Sequence, residues 1–167
     1  ISVAECIKGN KVPQIVKPLD NKYWTRTTLI EWLYKEIKSQ RNLIGFDFAF
    51  SYPFYDRCSY FPGIKDSPIN PEKLWKLIED NNTNVKNFYG GEIWVSKTYG
   101  KFFNSPKLKG SHFSSRRRCT ERFAKKKILS PSPTFNCVGP GAVGTGTLAG
   151  MRILNLLKNK TKIWPFD

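Results

Sequence analysis

The chain has 167 residues, of which 28 are Lys or Arg and 13 are Asp or Glu, so its formal net charge is +15. This length suits one domain with a real core, and 40% hydrophobic and 14% aromatic residues argue against disorder. No apolar run approaches the roughly 18 residues of a membrane-spanning helix. The charge indicates an anionic partner: nucleic acid, an anionic membrane surface or a phosphate-bearing substrate. A generally lysine-rich composition is the alternative explanation.

The cysteines and the histidine argue against a structural zinc site. With one histidine, His112, and no CxxC pair, the sequence offers too few well-spaced metal ligands. We therefore expect free thiols in a reducing compartment and predict a cytoplasmic protein that does not bind membranes. The cysteines are Cys6, Cys58, Cys119 and Cys137.

A hairpin and a helix are predicted at the start of the chain. Residues 1–7 and 12–19 are β-prone and flank a Lys-Gly-Asn-Lys turn. Thr25 is a suitable N-cap for a helix that runs to about Gln40, because apolar residues recur there every four positions. That apolar stripe consists of Leu29, Leu33 and Ile37, with Ile30 beside it.

Residues 42–54 (NLIGFDFAFSYPF) are the stretch around which we expect the fold to be organised. A continuous apolar run bounded by turn residues predicts a strand buried on both faces. Asp47 lies inside this run, where a carboxylate costs free energy unless it is paired, hydrogen-bonded or bound to a metal. Asp47 is therefore either a structural acid that caps a neighbouring turn or a metal-ligating or catalytic acid at a strand end.

Residues 101–127 form the clearest change in composition. They contain ten Lys or Arg and one acid, Glu121, which is a net charge of +9. Interspersed Ser, Gly and Pro predict a long basic insertion or loop. Phe102, Phe103, Phe113 and Phe123 lie among the charges, as expected where bases stack and phosphates bind. A solvated loop attached to the body by its aromatic residues is the alternative. The candidate nucleic-acid-binding cations are Arg116, Arg117, Arg118, Arg122, Lys125, Lys126 and Lys127.

The C-terminal third predicts a helix between two strands, and an earlier helix is predicted to begin at Asn70-Pro71. Residues 134–138 and 162–166 are strand-like. Between them, the glycine-rich segment 139–150 opens a helix and could cradle a phosphate. No Lys-Ser/Thr follows it, so close packing of the helix is the other explanation for its glycines.

Asp47 and Asp167 each follow a predicted buried strand, so the two acids can converge on divalent metal. In two-metal phosphodiester chemistry the ions lie about 3.5–4 Å apart, and one activates water while the other stabilises the leaving oxygen. Both ions need carboxylate oxygens, which one strand cannot supply alone.

Four motifs together resemble an uncharacterised bacterial family, the predicted RNase H-like nucleases. The motifs are GFDFAFSYP (45–53), RRRCTE (116–121), VGPGAVGTGTLAGM (138–151) and IWPFD (163–167). The resemblance implies an α/β fold, an RNase H-like mixed sheet flanked by helices. It also implies Asp47 and Asp167 as catalytic metal ligands, Glu121 as a third catalytic acid, and Mg²⁺ or Mn²⁺ as cofactor. Such folds carry an essential acid in the first strand, where this sequence has Glu5 in a non-matching context.

We therefore expect one RNase H-like domain over residues 1–167. The start at Ile1 without Met is typical of a fragment, so we also expect chain to be missing at both ends. A metal-dependent nuclease is the first hypothesis and a non-catalytic nucleic-acid-binding module of the ribonucleoprotein type is the second. A small-molecule phosphoryl or nucleotide enzyme that uses residues 139–150 is the third. DNA or RNA as substrate, and the oligomeric state, stay open.

Overall fold

The computed structural model describes residues 1–7, 9, 12–19, 22–39, 42–127 and 130–166. The chain divides into two compact units, Ile1–Ile44 and Gly45–Asp167. The described residues form a mixed α/β structure with a two-stranded antiparallel sheet and four α-helices. None of these helices combines the length and the apolar composition needed to cross a bilayer.

The first unit contains the predicted hairpin and helix. Strands β1 (Val3–Glu5) and β2 (Gln14–Val16) pair antiparallel, with Val3 opposite Val16. Helix α1 spans Arg26–Ser39. Thr25 caps it, because the Thr28 amide donates to Thr25 Oγ1 at 3.1 Å, and this satisfies one of the free N–H groups of the first turn. The predicted end at Gln40 lies outside the described residues.

The apolar stripe of α1 is buried largely as its periodicity predicts. Leu29, Ile30 and Leu33 are buried and Ile37 is half-buried. Trp24, just before the helix, donates its indole N–H to the Val16 carbonyl at 2.8 Å and so ties the helix start to β2.

Two helices and an aromatic cluster form the core of the second unit. Helix α2 spans Pro71–Asp80 and is capped by Asn70, whose side chain accepts from the Lys73 amide. It packs on a later helix, α4 (Gly144–Leu157), which is largely apolar and buries ten of its 14 residues. Between α2 and α4 the chain forms 3-10 turns at Lys86–Phe88, Gly91–Val95 and Gly100–Phe102, followed by helix α3 (Cys119–Lys127).

The aromatic cluster is centred on Tyr52. Its ring stacks on Phe135 at a centroid distance of 4.2 Å and meets Phe61 and Phe103 edge-on. Burial raises the pKa of the Tyr52 hydroxyl well above its ordinary value. The same environment raises the pKa of the buried Cys137 thiol to about 12, so this cysteine is an inert core residue.

The predicted buried strand over residues 42–54 is wrong. The segment consists of bends and irregular backbone, and Asp47 is exposed. Its phenylalanines bury their rings against one another: Phe48 lies 5.1 Å from Phe46 and 5.3 Å from Phe50. The Phe50 carbonyl accepts from the Trp75 indole at 2.7 Å, so side-chain contacts replace the expected partner strand.

The two later strand predictions are also wrong. Residues 134–138 contribute one bridge position, at which Asn136 pairs with Asn104. Residues 162–166 form a turn, and Phe166 packs edge-on against Trp75 at 5.8 Å. No strand beyond β1 and β2 occurs in the described ranges, so they do not contain the mixed sheet expected of an RNase H-like fold.

The glycines that open α4 allow the helix to approach neighbouring backbone closely. A Cβ at Gly144 would lie 2.6 Å from the Asn136 carbonyl oxygen and 2.8 Å from that of Thr134. At Gly146, two residues further on, no atom lies within 4 Å of the corresponding position. This favours close packing over phosphate binding as the explanation of the glycine-rich segment.

We expect Gly144→Ala and Gly146→Ala to change stability in opposite directions. Gly146→Ala should raise the free energy of unfolding by about 0.5–1 kcal/mol, because alanine restricts the unfolded chain and favours a helix. Gly144→Ala should lower it by about 1–3 kcal/mol, since two backbone carbonyls must move. Urea denaturation of both variants measures the difference. Equal changes in the two variants would contradict the packing described here.

Candidate nucleic-acid interface

An open depression with a strongly positive lining lies between helix α3 and the loop 53–60. Its volume is about 590 Å³. Five of the seven lining residues are Lys or Arg: the lining consists of Asp56, Ser115, Arg116, Arg117, Arg122, Lys125 and Lys126. The depression therefore gathers most of the cations that the sequence predicts to bind phosphate.

Helix α3 owes its start to Glu121, the only acid of the basic segment. The Glu121 carboxylate accepts from the Arg118 amide at 2.8 Å and from Arg118 Nε at 3.0 Å. An acid three residues into a helix that bonds back to the N-cap amide satisfies an N–H group left free by the first turn. Because α3 then continues to Lys127, the basic segment is not the uniform loop predicted from its composition.

The spacing of α3 places three cations on one face. Arg122, Lys125 and Lys126 are three and four residues apart, so they lie side by side on the helix surface. No ion pair joins any of them to another described residue. The one carboxylate in the lining, that of Asp56, forms its ion pair with Arg116.

Arg116 has a different task, because it anchors the basic segment to loop 53–60. Its guanidinium binds both oxygens of Asp56, at 2.9 and 2.7 Å. The same group donates to the carbonyls of Pro53, Ser59 and Tyr60 at 2.7–2.8 Å. The side chain is only 8% exposed, so its five hydrogen bonds leave little of it for a ligand.

Asp56 is held in its charged form by this contact. The hydrogen bonds from Arg116 lower the pKa of the Asp56 carboxyl below its usual value, against a smaller opposing effect of burial, and the charge of Arg122 also lowers it. Asp56 and Arg122 are therefore near one another across the depression. Because the Asp56 carboxylate forms its ion pair with Arg116, it does not also neutralise the positive charges on α3.

Some of the remaining predicted cations form contacts within the protein, and the others lie on its surface. Arg117 donates to the Pro131 carbonyl at 3.2 Å, and Arg118 is paired with Glu121 at 2.8 Å. Lys127 lies over the Phe123 ring, 5.6 Å from its centroid. Arg122, Lys125 and Lys126 are thus the cations best placed to bind an external anion.

The predicted metal ligands are not brought together within the described residues. Asp47 is exposed in a bend, and Glu121 is 6% exposed and occupied by Arg118. Asp167 lies outside the described residues. No group of three or more His, Cys, Asp or Glu side chains suited to a metal occurs in the part of the chain that is described. The residues present there do not fit an Mg²⁺ or Mn²⁺ centre of the two-metal type.

The predicted stacking aromatics also separate into two groups. Phe102 and Phe103 are buried in the core, and Phe113 is half-buried. Phe123 is 65% exposed on α3. Sequence reasoning missed Asp56 and its neighbour Tyr55 entirely, because the partner that gives Asp56 its role is 60 residues further along the chain.

No model of a known protein family matches the chain, and no significant match exists among curated proteins or solved structures. The resemblance to RNase H-like nucleases therefore stays a hypothesis based on the four sequence motifs.

We expect Asp56→Asn to lower the free energy of unfolding at pH 7, and we expect this loss to become smaller at acidic pH. The lowered pKa means that the ion pair contributes its full stabilisation above the ordinary carboxyl value of 3.8, and that this contribution is lost as the pH falls through the lower folded-state pKa. Urea denaturation of wild type and variant between pH 7 and pH 2.5 measures the difference. Asp80→Asn is the matched control, because the Asp80–Lys76 pair is exposed on α2. A difference between wild type and Asp56→Asn that did not shrink below pH 3.8 would contradict the assignment.

Proposed function

We propose that the chain binds nucleic acid through the depression between α3 and loop 53–60. The observation that carries the proposal is the row of Arg122, Lys125 and Lys126 on one helix face, which line the depression and form no ion pair with another described residue. Arg122 also donates a hydrogen bond to Cys119 Sγ at 3.5 Å. Lys and Arg side chains in such a row match the regularly spaced phosphates of a polynucleotide. The formal net charge of +15 adds a long-range attraction for the same partner.

The arrangement supports binding to the sugar-phosphate backbone. Lysine ammonium groups are flexible point charges that bind phosphate without reading sequence. Arg116 and Arg118, which have the planar guanidinium suited to bidentate base contacts, are occupied by Asp56 and Glu121, so Arg122 is the one guanidinium in the row on α3, beside two lysines. The proposed binding is therefore strongly salt-dependent and weakly sequence-specific.

A non-catalytic binding module agrees with the described geometry better than a nuclease. Asp47 is exposed, but Glu121 is occupied by Arg118, and no group of three or more potential metal ligands occurs in the described part of the chain. The RNase H-like fold, the Mg²⁺ or Mn²⁺ cofactor and hydrolysis of phosphodiesters stay with the nuclease hypothesis, which the sequence motifs alone support. Metal-dependent cleavage that is lost in Asp47→Asn and in EDTA is the result that would favour it.

We expect replacement of Lys125 and Lys126 by Gln to weaken oligonucleotide binding about tenfold in 50 mM salt, because two phosphate contacts are lost. The slope of log affinity against log salt should become shallower by about 1.4, since each contact with a single strand contributes about 0.7. Fluorescence anisotropy of a labelled oligonucleotide, titrated at several salt concentrations, measures both.

The matched control is Lys158→Gln with Lys160→Gln, which removes the same charge just beyond the end of α4. These lysines do not line the depression. Equal losses in the two double variants would mean that net charge, and not the depression, determines binding. Affinity that is insensitive to salt in the wild type would contradict the proposed function itself.

A further inference from the structure

Two exposed aromatic residues adjoin, in sequence, residues that line the cationic depression. Tyr55 is 82% exposed and immediately precedes Asp56, and Phe123 is 65% exposed and immediately follows Arg122. Isolated exposed aromatics are common on protein surfaces. Here, however, both sit next in sequence to residues that line the same charged depression, on two different segments of the chain.

Helix geometry places Phe123 beside the cationic face of α3. Successive helical residues are rotated by about 100°, so Phe123 lies beside the face formed by Arg122, Lys125 and Lys126. It is three residues before Lys126 and four before Lys127, both of which are therefore its surface neighbours. The Lys127 ammonium already lies 5.6 Å from the Phe123 ring centroid, so the cation and the ring form one surface.

Tyr55 lies in loop 53–60, directly before the lining residue Asp56. Its ring meets Phe54 edge-on at 6.2 Å, and Phe54 in turn packs on the buried Tyr60 at 4.9 Å. The carboxylate of Asp56 next to it is fixed by Arg116. The backbone that carries Tyr55 is thus supported from both sides while most of the ring is left in solvent.

We propose that the depression recognises single-stranded nucleic acid, with phosphates on the α3 cations and unstacked bases against Tyr55 and Phe123. This inference rests on the proposed function and adds the class of substrate. Bases in a duplex are stacked and paired internally, so an exposed aromatic ring gains contact only with bases that are splayed out of a strand. A cationic groove flanked by aromatic rings is the arrangement that binds single strands with little sequence preference.

The test compares four labelled ligands of equal length against the whole chain: dT12, U12, a twelve-residue abasic DNA and a twelve-base-pair duplex. The abasic strand keeps the phosphates and lacks the bases. We expect dT12 and U12 to bind at least tenfold more tightly than the abasic strand, because stacking on each ring contributes a comparable factor. If dT12 and U12 bind with different affinity, dU12 separates the two causes, because it lacks both the C5-methyl group of dT12 and the 2′-hydroxyl of U12.

Two variants test whether the preference for dT12 over the abasic strand depends on the two aromatic rings. Tyr55→Ala and Phe123→Ala should each weaken dT12 binding about tenfold, with abasic binding and the salt slope unchanged. Trp164→Ala is the control, since Trp164 is 83% exposed and is not next in sequence to any residue that lines the depression. Phe123→Trp, which keeps an aromatic ring at this position, should bind dT12 at least as tightly as the wild-type chain.

The outcomes separate the two proposals. Equal affinity for dT12, U12 and the abasic strand, or tighter binding of the duplex than of dT12, would overturn the inference and leave the proposed phosphate binding in place. Absence of binding to every ligand in 50 mM salt would overturn the proposed function as well. Both comparisons use the wild-type chain, so neither depends on a variant that fails to fold.

Discussion

The arrangement of the candidate site depends on one buried guanidinium. Arg116 binds the Asp56 carboxylate and three carbonyls of loop 53–60, and its guanidinium carbon lies 5.8 Å from the centre of the Phe135 ring. A buried charge is tolerated when its hydrogen-bonding capacity is used and an opposite charge is present, and both conditions hold here. Through these contacts the most basic segment of the chain is joined to the aromatic core, and the depression exists because the two segments are held together.

Some positive charges of this segment form ion pairs inside the protein and others lie on its surface, and composition alone does not distinguish the two groups. Arg116 and Arg118 form ion pairs with Asp56 and Glu121, and these pairs position the segments that form the site. The cations that remain lie on one face of a helix whose start those contacts determine. The two carboxylates are therefore part of what creates the positive patch, because each forms its ion pair with an arginine outside the row on α3.

Local patterns predict helices α1, α2 and α4, but they miss α3 and predict the long-range structure poorly. The caps at Thr25 and Asn70, together with apolar residues at helical spacing, give the positions of α1 and α2, because capping and amphipathicity are local properties. Residues 42–54 have the composition of a buried strand, but a strand needs a partner, and the Phe residues found aromatic neighbours instead. For the site, the sequence predicts the basic segment as a whole. It does not predict which of its cations form structural ion pairs, since Arg116 and Asp56 are 60 residues apart.

Hydrogen exchange of the whole chain with and without dT12, read by mass spectrometry, tests the central claim most directly. We expect exchange to slow in loop 53–60 and in residues 115–127, because these two segments line the depression on either side. The glycine-rich turn before α4 should exchange at the same rate in both states. Unchanged exchange in the two lining segments, or protection centred on that turn, would contradict a nucleic-acid interface built by Arg116 and helix α3.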